Sequence, residues 1–175
     1  MRSGYGPLWT CQTIGLTGTN GTYSGDVFGT NVDRSAIQWL QMEVGTNGSG
    51  LSVRNHRRVF DSVQSTNAWW YHYGSVAVNC PGDIVTGFSG SSATNYIGAF
   101  YTARLADGTQ FAPPRLLQLG SIEHLDQWGD YSVTLPDPVN QWSFWTVQAY
   151  SSPYVFSLAT FKRWGTVIAE IKARP

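Results

Sequence analysis

The sequence predicts an all-β protein, and three observations carry that expectation. Charged residues make up only 13% of the chain, whereas aromatic residues reach 14%. Glycine occupies 19 of the 175 positions, many of them in short clusters with Asn, Asp, Thr and Ser. Between those clusters run short segments rich in β-branched and aromatic side chains, the pattern of strands joined by tight turns rather than of helices.

Taken in order, Leu8 to Ile14 alternates as a strand, and Gly15 to Asp33 is a polar stretch without periodicity, expected as a loop. Ser35 to Val44 is the next strand, closed by the turn signal Gly45-Thr46-Asn47-Gly48-Ser49-Gly50, so that Leu51 to Phe60 pairs back against it. Asn67 to Tyr73 is an aromatic connection. Ser75 to Asn79 and Ile84 to Gly90 form a hairpin around Cys80-Pro81-Gly82-Asp83, where Pro presets φ and Gly accepts a positive φ. Tyr96 to Leu105 is a strand, Ala106-Asp107-Gly108-Thr109 turns, and Arg115 to Leu119 returns. After Trp128-Gly129-Asp130-Tyr131-Ser132 come a short strand, the corner Pro136-Asp137-Pro138, the aromatic strand Gln141 to Tyr150, and a last strand from Trp164 to Ile171.

These segments recur at a spacing of roughly 60 to 65 residues, and four antiparallel strands per unit describe a propeller blade. The expectation is one β-propeller-like domain over residues 1–175: a partial blade over about 8–60, a full blade over about 73–120 and a partial blade over about 128–173. That makes about ten or eleven strands, or about two and a half four-stranded blades, an open structure unless other chains or further sequence complete it. The same pattern of short strands also suits a two-sheet sandwich. An open stack leaves apolar faces and strand edges exposed, which favours a homo-oligomer or larger assembly.

Lys plus Arg and Asp plus Glu number 11 each, so the net charge is zero and nothing attracts nucleic acid or an anionic membrane in general. Apolar runs fall short of a membrane span, and no signal-type segment opens the chain. Cys11 and Cys80 permit one disulfide or two thiols. His56, His72 and His124 have no metal-ligand spacing, and no nucleophile elbow surrounds a serine, so neither metal, cofactor nor catalytic residue is assigned. In Val53-Arg54-Asn55-His56-Arg57-Arg58-Val59, strand alternation places Arg54, His56 and Arg58 on one face and Arg57 on the other, a solvated outer-strand face.

The tract from Asp83-Ile84-Val85-Thr86-Gly87-Phe88-Ser89-Gly90 through Trp128-Gly129-Asp130-Tyr131-Ser132, Asp137-Pro138 and Phe144-Trp145 resembles the C-terminal repeats of secreted bacterial proteins that carry sialidase-like β-propellers. The resemblance covers about the last hundred residues and implies a propeller fold in an extracellular or cell-surface setting, with any export signal outside this chain. It does not carry sialidase activity with it. The Ser-x-Asp-x-Gly-x-Thr-Trp turn of that family is missing, and no spacing selects three arginines for a carboxylate-binding triad.

The binding candidates are Trp69, Trp70 and Tyr71 in the aromatic connection, and Trp128, Asp130 and Tyr131 at the start of the last unit. Planar amphipathic rings serve both sugar recognition and protein interfaces. The expected function is a non-catalytic recognition or assembly module with a glycan or protein ligand; the alternative is a sialidase-like glycoside hydrolase or part of one.

Overall fold

A computed structural model describes residues 6–17, 22–23, 32–45, 50–63, 66–125, 127–129, 132–156 and 159–173, the side chains of 22–23 and 154–162 excepted. Among these residues the protein is all β, with eleven strands and no helix. In chain order the strands are β1 Leu8–Thr17, β2 Thr22–Tyr23, β3 Arg34–Val44, β4 Leu51–Val59, β5 Trp70–Val78, β6 Ile84–Ser92, β7 Asn95–Arg104, β8 Arg115–Gln118, β9 Val133–Pro136, β10 Ser143–Phe156 and β11 Ala159–Lys172. They form three antiparallel sheets, ordered β2-β1-β3-β4, β5-β6-β7-β8 and β11-β10-β9.

Several segments differ from the sequence expectation. β10 runs on to Phe156, past the expected end at Tyr150, and β11 starts at Ala159, before the expected Trp164, because the two pair along their whole length. The stretch from Gly15 onward is not all loop, because β1 continues to Thr17 and β2 pairs back through Leu16↔Tyr23 and Thr17↔Thr22. Leu16 is fully buried among Ile14 and Ala36, with Phe60 against them, and that local apolar cluster outweighs the turn-rich composition. Likewise the aromatic connection is partly strand: β5 begins at Trp70 rather than Ser75. A bulge between His72 and Ser75 separates its two halves, and Tyr73 takes a φ of 53° there.

The second sheet lies between the other two. Its β6 is buried on both faces from Ile84 to Gly90, as a middle layer requires. On one side Tyr71, Phe88 and Phe100 pack against Ile37 and Val59 of the first sheet. Tyr71 meets Phe88 edge-on at 4.9 Å and Phe100 at 5.5 Å, while Phe88 and Phe100 stack at 6.1 Å. On the other side Ala77 and Val85 pack against Phe144 and Ile171 of the third sheet.

The centre of that second contact is polar. Gln148, fully buried on β10, donates through Nε2 to Ser75 Oγ (3.2 Å) and Thr146 Oγ1 (2.9 Å) and accepts at Oε1 from Ser132 Oγ (2.8 Å). Thr134 Oγ1 links Ser75 Oγ (2.8 Å) to Thr146 Oγ1 (2.9 Å), so every member has a partner and none bears the cost of an orphaned buried group. Gly87 makes room for this hub: a Cβ there would stand 2.2 Å from Gln148 Nε2 and 2.4 Å from Thr146 Oγ1.

The far ends of the hairpins are tied together as well. Gly82 closes the β5–β6 turn with a φ of 93°. Its neighbour Asp83, fully buried, accepts from the Ala106 N–H (2.8 Å), and Asn79 Nδ2 donates to the Gln141 carbonyl (2.8 Å). One corner thereby joins the turns of two hairpins in the second sheet to the turn entering β10.

Gly87→Ala should force Gln148 out of its hub and destabilise the protein by about 1–3 kcal/mol in urea unfolding. Phe88→Ala removes a fully buried ring from the opposite contact and should cost about 3–5 kcal/mol in the same measurement. Unchanged midpoints would show that these contacts do not hold the sheets together.

Candidate functional site

The binding candidates separate into two places. Trp69 and Tyr71 turn toward the first sheet: Trp69 meets Phe100 edge-on at 4.9 Å, and Tyr71 is buried in the aromatic core. Trp70 lies on the opposite face of β5 and is 38% exposed. Trp128 is half-buried; its Nε1 donates to Ser89 Oγ (3.1 Å), and His124 packs edge-on against it at 4.9 Å. Asp130 and Tyr131 lie outside the described residues.

Trp128-Gly129 belongs to a corner where the first and second sheets meet. Gly129 has a φ of 108°, and a Cβ on it would stand 2.2 Å from the Tyr73 ring, so close approach and backbone conformation both select glycine. Tyr73 donates its backbone N–H to Thr13 Oγ1 of β1 (3.0 Å) and carries His72 edge-on at 5.4 Å. Burial holds the His72 imidazole below its ordinary pKa, opposed by the Trp70 carbonyl 3.1 Å from Nδ1.

Asp137-Pro138 and Phe144-Trp145 have structural duties. Asp137 Oδ1 accepts from the N–H groups of Val139 and Asn140 (2.7 Å each), and Oδ2 accepts from Trp145 Nε1 (2.7 Å). The Asn140 N–H leads in holding this carboxyl below the usual aspartate range, with the Trp145 indole and the Val139 N–H adding to it. Phe144 faces inward and is fully buried, whereas Trp145 faces outward.

The basic strand β4 departs from simple alternation. Gln41 pairs with Asn55 and Met42 with Val53, leaving Arg54 as the extra residue of a bulge. Arg54 therefore does not share a regular face with His56 and Arg58; it pairs with Glu43 at 2.5 Å on the surface. Arg57, opposite Trp39 in the register, faces the second sheet.

There, between the end of β4 and the segment Gln110 to Pro114, opens a cleft of about 420 Å3. Arg57, Phe60, Tyr71, Gln110, Phe111 and Pro113 are among its walls. Asp61 also borders it, but its carboxylate is committed to the backbone N–H groups of Val63 and Trp69 (2.9 Å each). Burial, and then the Asp61 charge, push the Tyr71 phenol well above its ordinary pKa, so it stays a hydroxyl donor. The sequence reading named Tyr71 only within the aromatic connection and did not foresee the cleft, because a turn segment 39 to 43 residues further on has no local signal linking it to β5.

The outward face of the third sheet is a further feature. The register aligns Trp145 with Leu135 and Val147 with Val133 and Ile168 on that face. Leu135 is 57% exposed, Trp145 43% and Ile168 65%. Comparison with family models, curated proteins and solved structures found no match to the chain.

Both cysteines are free thiols. Burial raises the Cys11 thiol to about 11, which leaves almost none of it as the reactive thiolate near pH 8. Iodoacetamide at pH 8 should therefore label the exposed Cys80 and spare Cys11 until the protein is unfolded, read by peptide mass spectrometry; early labelling of Cys11 would contradict its packing. The Trp145 indole N–H resonance should shift as Asp137 protonates, with a midpoint below the ordinary aspartate value of about 3.9. Asp137→Asn should abolish that titration.

Proposed function

We propose that the chain is a non-catalytic recognition and assembly module, and that its three sheets are successive blades of a propeller-like array completed by association with a further copy. The observation that carries this reading is the outward face of the third sheet. The inward faces of the sheets bury their apolar side chains against a neighbouring sheet, whereas Leu135, Trp145 and Ile168 have no sheet over them among the described residues. Clustered exposed apolar side chains of this kind mark association surfaces.

The free edge of β11 supports the same reading. Among the described residues the other two sheets have four strands each and the third has three, with the 14-residue β11 paired to β10 alone. An edge of that length offers a row of backbone donors and acceptors to an added strand. The extracellular or surface setting follows from the resemblance to secreted propeller repeats and is part of the same proposal.

Light scattering should give a mass that is a multiple of 19.3 kDa. The paired substitutions Trp145→Lys and Ile168→Glu should reduce it to the single-chain value, with the circular dichroism spectrum unchanged. A monomeric wild-type chain across the micromolar range would overturn self-association.

A further inference from the structure

We propose that the cleft between β4 and the Gln110 to Pro114 segment binds a small organic anion, a carboxylate carried on a six-membered ring. Its volume of about 420 Å3 falls within the range of small-molecule sites and suits one ring with its substituents. Its walls combine apolar faces from Phe60, Phe111 and Pro113 with polar side chains at Arg57, Tyr71 and Gln110.

The charge of the ligand follows from the cations. Among the described residues Arg57 Nη1 meets neutral acceptors, the His56 carbonyl (2.8 Å) and Asn55 Oδ1 (3.2 Å). Arg58, a second cation, also lines the cleft; Arg104 is outside its walls, 5.2 Å over the Trp39 ring, against which Phe111 of the cleft also packs. Among the described residues the buried Arg104 Nε has no hydrogen-bond partner. Burial first, and then the charge of Arg57, hold Arg104 below its usual pKa. The acid at the cleft, Asp61, already satisfies two backbone N–H groups, and an incoming carboxylate would supply the countercharge. Tyr71 and Gln110 add neutral donors, and the aromatic and proline walls accept the face of a ring.

This inference is independent of the assembly reading, because the cleft lies between the first and second sheets and not on the outward face of the third. The test is therefore run on both the wild-type chain and the Trp145→Lys, Ile168→Glu variant. Amide-resolved NMR titrations use benzoate and D-glucuronate, with benzamide and D-glucose as neutral counterparts. A carboxylate should shift resonances of Tyr71, Gln110 and Phe111 and bind roughly tenfold or more tightly than its neutral counterpart. Arg57→Gln should lose that preference, while Arg54→Gln, on the same strand but paired with Glu43, should keep it. Benzoate alone would assign an apolar ring, D-glucuronate alone a hydroxylated one, and both together the carboxylate-bearing ring in general. Equal binding of acids and neutral counterparts, retention of the preference in Arg57→Gln, or no binding of either acid would overturn the proposal.

Discussion

The stacking of the second and third sheets depends on one close approach, Gln148 over the bare backbone of Gly87. A buried amide is tolerable only when its donors and acceptor are engaged, and Ser75, Ser132 and Thr146 engage them from three different segments. The hub positions β9 and β10 against β5 and β6 by direction as well as by contact. The opposite contact is of another kind, a set of edge-on and stacked aromatic rings with aliphatic partners. One side of the middle sheet combines geometry-specific hydrogen bonds with the small apolar cluster around Phe144, and the other is held by aromatic and aliphatic packing, so the two neighbouring sheets are not interchangeable.

The corner at Trp128-Gly129 extends the same logic to the first sheet. Gly129 fits against Tyr73, Tyr73 reaches Thr13, and Trp128 reaches Ser89. Tyr73 holds a positive φ to make these contacts, a conformation that costs of order 1–3 kcal/mol in a non-glycine residue and persists only where neighbours enforce it. At the far end, Asn79 and Asp83 perform a comparable function for the turns.

Strands were legible in the sequence wherever alternation and turn chemistry agreed. The β5–β6 hairpin around Pro81-Gly82 and the β3–β4 pair around Gly45 to Gly50 are examples. Less was legible where tertiary contacts decide. Leu16 joins a strand because Ile14 and Ala36 bury beside it, and Trp70 begins one because β6 is there to pair. The Arg54 bulge depends on a register set across two strands and has no local residue signature. Of the site, the aromatic segment was legible as chemistry, but its division between a core face and a solvent face was not. The wall formed by Gln110 to Pro114 comes from a segment with no periodicity of its own, and the Asp137 clamp on Trp145 looks like an ordinary Asp-Pro corner until the indole is seen above it.

The contrast between the two contacts of the middle sheet has a thermal consequence. Apolar attraction weakens on cooling because its driving force near room temperature is entropic, whereas hydrogen-bonded groups follow no such trend. In the cold the aromatic seam with the first sheet loses more of its strength than the Gln148 seam, where hydrogen bonds act beside the packing of Phe144 and Ile171. The aromatic seam is therefore the more cold-sensitive of the two planes.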